Sequence, residues 1–264
     1  ALLGVSVKYL YDLLGKYVGI RLPRLLRLAE VATLRLDPEQ LLLSTIKRRA
    51  GIAATMMVTE DLCTFFGLWL AEGSFSKGTS VRLSVHADEA DLVAGFCKRL
   101  FGNVTVYRPK TAKAADVIVS SLVLVKAMQA LGFVDGARRK RPPPFAYNLS
   151  RPNLAALLRG YFSGDGSVNR VTPAPQVEAS TASLALADDL CHLLLFFGIV
   201  AKVYDRPSES SKRICFADSL NLERFLEIGF LDEGKNAVIR RYLADAPASR
   251  RDRLPLSAVQ DRLG

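Results

Sequence analysis

The chain has 264 residues, half of them hydrophobic, which suffices for one large domain or two compact ones with a proper core and excludes a disordered protein. A formal charge of +10 points to a polyanionic partner, nucleic acid before acidic lipid. No apolar run approaches the roughly 18 residues of a membrane helix, and the first residues lack the basic, apolar and cleavable regions of a secretion signal, so no membrane partner is expected.

The opening segment, residues 1–58, carries nine Lys or Arg against four Asp or Glu, with leucines at helical spacing such as Leu22, Leu25 and Leu26. It reads as helical and basic. Two readings stand side by side: runs 5–15 and 21–32 form a helix-turn-helix whose second helix enters a major groove, or they cap the core.

Residues 61–141 then recur in order as residues 154–235, at offsets drifting from 93 to 98. Gly67, Ala71, Glu72, Gly73 and Ser74 return as Gly160, Gly164, Asp165, Gly166 and Ser167; the Phe96–Gly102 run and residues 106–109 return at 190–198 and 203–207; residues 131–135 return at 228–232. Each half reads as helix, two strands, helix, further strand, helix. In the first half, Val81, Leu83 and Val85 alternate with Arg82 and Ser84, so one face packs and the other meets solvent or ligand. In the second, Lys202, Tyr204 and Arg206 share a face opposite Ala201 and Val203. A basic face bearing an aromatic suits a nucleic-acid groove, and it equally suits a charged edge strand that resists aggregation.

Each copy of the motif is an apolar helix ending in an acid and a glycine. The small residues Gly67 and Ala71, and Gly160 and Gly164, let two backbones approach closely. If those faces pack, Glu72 and Asp165 converge, and two close carboxylates favour a divalent, oxygen-seeking ion such as Mg2+ between them. An acid at a helix C-terminus opposes the macrodipole, which makes its appearance in both copies informative. Gly73 and Gly166 suit a left-handed turn from helix to strand. The four cysteines, Cys63, Cys97, Cys191 and Cys215, are spaced for neither zinc nor a redox pair and read as buried, reduced thiols of a cytoplasmic protein. His86 and His192 read as structural. Residues 248–264, with Arg250, Arg251 and Arg253, form a basic tail.

The sequence resembles the LAGLIDADG homing endonucleases of the two-motif, monomeric type, and is particularly similar to the endonuclease domains carried by inteins. The likeness spans residues 59–240. It rests on the runs 66–74 and 157–168, on Lys140-Arg141-Pro142-Pro143-Pro144-Phe145, and on residues 190–203 with their Leu-Leu-Leu-Phe-Phe-Gly-Ile centre. The resemblance implies an α+β fold of two αββαββα halves, residues 59–150 and 151–247, about a pseudo-two-fold axis, with a saddle-shaped sheet surface over double-stranded DNA. It implies that Glu72 and Asp165 hold Mg2+, or Mn2+ or Ca2+ in its place, and that each serves cleavage of one strand, leaving short 3′ overhangs at a long target. A basic residue beside each acid is also implied: Lys140, or a neighbour in the run 138–141, for one, and Lys235 for the other. Expected DNA contacts are Lys77, Arg82, Arg108, Lys110, Arg170, Lys202, Tyr204, Arg206 and Arg213. The unequal acids point to an asymmetric target. The termini, Ala1-Leu2 and Leu263-Gly264, lack splicing residues, so the chain is expected not to splice. The alternative is a non-cleaving nucleic-acid-binding protein on the same scaffold, an RNA maturase or a transcription regulator.

Overall fold

The computed structural model describes residues 21–33, 35–37, 41–43, 52–109, 113–171, 174–206 and 210–245. Two compact units divide the chain, Ala1–Met57 and Val58–Gly264. In the first, Pro23 opens a helix, α1 (Leu22–Val31), where its missing N–H costs nothing. Two short strands, β1 (Leu42–Leu43) and β2 (Ile52–Ala53), pair antiparallel. The expectation of a wholly helical segment is therefore corrected: the apolar run at 41–43 is too short for its periodicity to tell strand from helix. Run 5–15 lies outside the described residues, as do residues 246–264.

The second unit is built twice. Its first half runs α2 (Glu60–Glu72), β3 (Gly73–Ser76), β4 (Ser80–His86), α3 (Ala90–Phe101), β5 (Val104–Tyr107), β6 (Ala114–Val119) and α4 (Leu122–Ala130). A turn of 3-10 helix, Pro144–Asn148, leads to the second: α5 (Arg151–Asp165), β7 (Gly166–Val171), β8 (Ala174–Thr181), α6 (Leu184–Leu195), β9 (Lys202–Arg206), β10 (Ser211–Phe216) and α7 (Ser219–Ile228). This is the α+β architecture of two αββαββα halves, with one more helix, α8 (Glu233–Asp245), after the second.

Local chemistry explains the boundaries. The side chains of Thr59, Ser121, Ser183 and Asp218 each accept a hydrogen bond from the backbone N–H three residues on, satisfying a donor that the first helical turn leaves open. Each sheet is antiparallel, in the orders β3-β4-β6-β5 and β7-β8-β10-β9. In β4 the alternation holds, with Val81, Leu83 and Val85 buried between less buried neighbours. Edge strand β9 differs, because Val203 is itself exposed and only the Lys202, Tyr204, Arg206 parity is shared with the open face of β10.

Every residue from Leu62 to Leu70 in α2 is buried, as are Leu154–Leu158 and Gly160–Phe162 in α5. Helices apolar all round must be enclosed. These two pack on each other in the most extensive contact between elements among the described residues, and each carries an aromatic cluster outward into its own half. Phe65, Phe66 and Trp69 meet Phe101, Phe133 and Phe75; Phe162 meets Phe216 and Phe225, which reaches Phe230.

Candidate active site and nucleic-acid face

The α2–α5 contact depends on absent side chains. A Cβ on Gly67 would stand 1.9 Å from the Leu157 carbonyl oxygen, one on Gly160 2.2 Å from the Thr64 carbonyl oxygen, and one on Gly164 2.6 Å from Ala71 Cβ. Backbone therefore lies on backbone, and the helices end side by side with Glu72 and Asp165 last.

The glycines that follow the acids work differently from expectation. Gly73 and Gly166 have φ of −87° and −98°, extended backbone open to any residue. What excludes a side chain is space: a Cβ on Gly73 would lie 2.3 Å from Trp69 Cδ1, and one on Gly166 2.3 Å from the Phe162 carbonyl oxygen. The left-handed turn is thus corrected to a sharp, side-chain-free passage from helix into strand.

Burial dominates the electrostatics of the pair. It pushes Glu72 up to about 7, with the nearby Asp165 charge adding to the shift and Lys140 opposing it. It pushes Asp165 up to about 6, against the pull of Lys140 and the Tyr161 hydroxyl. Tyr161 Oη is fully buried beside Asp165 and Thr181, yet misses regular hydrogen-bond geometry with either.

Lys140 is only 6% exposed. Its Nζ donates to the carbonyls of Ala71 (2.8 Å) and Trp69 (3.1 Å) and lies 5.3 Å from the Trp69 ring centre. Burial lowers its pKa, while Asp165 and Glu72 pull it back up. Lys235 takes the related place at the other helix end, donating to the Gly166 carbonyl at 3.1 Å and sitting 5.3 Å from the Phe230 ring centre. A cation at each C-terminus offsets the dipole that would otherwise repel the acids. Arg141, by contrast, is committed to Asp189 through two hydrogen bonds of 2.8 and 2.9 Å, which singles out Lys140 from its basic neighbour.

The residues present fit a hard divalent ion. Two half-buried carboxylates and the carbonyl-rich ends of two helices form an all-oxygen donor set. Among the described residues no cluster of three or more His, Cys, Asp or Glu exists, so any further ligands would be water or phosphate, which is how Mg2+ is commonly held.

The expected DNA contacts separate by position. Arg82 and Arg213 lie on the open faces of their sheets, and β9 presents Lys202, Tyr204 and Arg206 on the same face as Arg213. Lys77 holds a positive φ of 51° in the β3–β4 turn, and Arg108, after β5, pairs with Asp91 at 2.6 Å. Strand register puts Arg170 in line with Val168, out of step with the Asn169 and Gln176 parity, and its side chain is outside the described residues. Lys110 is outside them too.

Sequence reasoning missed the carboxylates on these faces. Asp116 accepts from Ser84 (2.6 Å) and stands 3.7 Å from Arg82; Glu178 stands 3.4 Å from Arg213 and also accepts from Asn169. The period-two alternation around Ala115 and Val117, and around Val177 and Ala179, carried that signal. The thiols of Cys63, Cys97 and Cys215 are buried and free; Cys191 is free and only half-buried, a correction to the expected burial of all four.

Residues 152–228 match the family profile of the LAGLIDADG-like domain. The chain is similar, at 28% identity over 189 residues, to the replication factor C small subunit of Methanocaldococcus jannaschii, a match that takes in 67% of this chain and 10% of that protein. It is similar, at 28% over 227 residues, to a DNA polymerase of Thermococcus sp. (strain GE8), with 79% of this chain and 13% of the polymerase covered. The chain thus spans about a tenth of the length of these curated relatives. Among solved structures, mesophilic variants of the homing endonuclease I-DmoI match with a TM-score of 0.51 at 11% identity, over 65% of this chain and 96% of theirs. Full-length DUF199/WhiA from Thermatoga maritima matches with a TM-score of 0.52 at 14% identity, over 79% and 68%. An I-DmoI variant in complex with its target DNA in the presence of Mn matches with a TM-score of 0.50 at 12% identity, over 69% and 98%.

Proposed function

Because this chain has a LAGLIDADG fold, we propose that it is a site-specific, metal-dependent endonuclease that hydrolyses both strands of a long, asymmetric double-stranded DNA target and leaves short 3′ overhangs. The observation that carries this reading is the pair Glu72 and Asp165, both retained, both half-buried, at the touching ends of α2 and α5, with the buried Lys140 donating to the carbonyls that end α2. The two curated relatives above carry unlike names, a replication factor C small subunit and a DNA polymerase, and share only about a tenth of their length with this chain. That pattern supports a mobile module carried inside hosts, and hence homing from an intein or intron.

Mg2+ would be held by Glu72 and Asp165, with Mn2+ or Ca2+ able to take the same oxygen donors, and when bound it supplies Lewis-acid polarisation of a phosphate and a more acidic water. The chain's own groups do the rest. The α2–α5 contact fixes the separation of the two acids. Lys140 and Lys235 bring positive charge to each helix end, where charge builds up on a phosphate under attack. The open faces of the sheets, with Arg82, Arg213, Lys202 and Tyr204, bind and orient the duplex as a monomer binds an asymmetric site.

A cleavage selection on a randomised duplex library in Mg2+ tests the proposal and yields the target. Substituting Glu72→Gln together with Asp165→Asn is expected to abolish cutting by at least about a hundredfold, the scale of a lost electrostatic stabiliser, while binding survives. Undiminished cutting by that variant refutes the assignment. Binding without cutting by the parent would favour the alternative, a non-cleaving regulator or RNA maturase.

A further inference from the structure

The two sheets carry the same ion pair with its charges exchanged. Ser74 and Ser167 are equivalent in the repeat; Ser74 pairs across the ladder with Arg82, and Ser167 pairs with Glu178. Two residues further along, Ser84 pairs with Asp116 in the first sheet, and Ser180 pairs with Arg213 in the second. Arg82 of β4 with Asp116 of β6 therefore corresponds, place for place, to Glu178 of β8 with Arg213 of β10. The two arginines stand at non-equivalent backbone places, one strand and two residues apart after superposition of the halves, with Cα positions on the order of 8 Å apart from standard sheet spacings.

Each arginine is braced rather than spent. Arg82 Nε donates to Ser74 Oγ at 3.2 Å while Asp116 stands 3.7 Å from Nη1, and the side chain keeps 41% exposure. Arg213 keeps 31% exposure beside Glu178, and its buried Nε has no hydrogen-bond partner among the described residues. It borders an open polar hollow of about 390 Å3 lined also by Gln176, Tyr204 and Arg206. A guanidinium held beside a carboxylate by charge, with donors left free of protein acceptors, suits the two acceptors on the major-groove edge of guanine.

Resting on the proposed DNA function, we propose that Arg82 and Arg213 are specificity-determining residues, each reading a guanine, and that the exchanged pair places those guanines at positions in the two half-sites that are not mirror images. The difference in position corresponds to roughly two base-pair steps at 3.4 Å each. Asymmetry of the target is then written into the sheets and not only into the unequal acids.

Binding selection from a randomised duplex library, in EDTA so that DNA stays intact, tests this. The parent is expected to select one guanine-determined position in each half, unrelated by the dyad. Arg82→Gln is expected to relax one of them and Arg213→Gln the other, by roughly 5- to 150-fold in discrimination, with thermal midpoints unchanged. The exchange Arg82→Glu with Asp116→Arg is expected to move the guanine of the first half to the mirror image of the second. The proposal is overturned if the guanines are mirror-related, if the exchange moves nothing, or if each single variant weakens all sequences equally and lowers the salt slope by about one, the mark of a phosphate contact. A parent that selects no duplex sequence refutes the endonuclease reading itself, a distinguishable result.

Discussion

Gly67 shows most sharply what a single position decides. Gly67→Ala must find room for a methyl 1.9 Å from a backbone oxygen that cannot swing away. We expect a loss of about 3 kcal/mol or more, a drop in thermal midpoint of roughly 6–12 °C at this chain length. Gly95, inside α3 with open space at its Cβ, is the matched control: Gly95→Ala is expected to stabilise by about 0.5–1 kcal/mol through helix propensity. Differential scanning calorimetry of both variants checks the pair, and equal effects would contradict the close approach. The acids make a prediction with a sign. Their folded pKa values stand above the unfolded ones, at about 7 for Glu72 and about 6 for Asp165, so the folded chain retains protons that the unfolded chain releases. Without metal, the contribution of these two groups to stability is fully present below about pH 4 and is lost as pH rises through about 7. Thermal midpoints measured in EDTA from pH 5 to 8 should fall with pH, and Glu72→Gln should flatten that slope. At this scale the acids and the small residues were legible because the repeat aligned them, and Lys140 because the family resemblance pointed to its block, with Lys235 following by the repeat. Asp116 and Glu178 were not, since a carboxylate in a strand acquires its partner only through cross-strand register.

Among the elements, the connection between the halves carries more than its length suggests. After Lys140, Arg141 and Tyr147 both bond Asp189 on α6, at 2.8 to 2.9 Å, and Ser183 Oγ, which caps α6, donates to the Lys140 carbonyl at 2.7 Å. The linker that presents Lys140 to the first motif helix is thus clamped onto the second half. Asp189→Ala removes the acceptor that Arg141 and Tyr147 share and is expected to loosen the linker, read as a lower urea midpoint. It should also reduce cleavage as Lys140 loosens; a stable, fully active variant would show that the clamp does not position the lysine. The helix and strand order was legible from periodicity and recurrence. The short ladder of β1 and β2 was not, because apolar runs of two or three residues carry no period. The extended conformation at Gly73 and Gly166 was hidden as well, because sequence shows that a glycine is required and leaves open whether φ or space requires it.

For the molecule as a whole, recurrence made the two-half plan readable, while the difference between the halves emerged only when the sheets were compared strand by strand. Equal scaffolds here support unequal faces. The contact of Gly67 with α5 and of Gly160 with α2 gives that arrangement a further meaning. Since the separation of the acids is set by main chain resting on main chain, changes at the sheet surfaces leave it untouched. On the proposed function, the helix pair serves as a fixed gauge, and the two sheets as exchangeable reading heads mounted on it. Such a protein can drift toward new targets one face at a time without having to rebuild its chemistry.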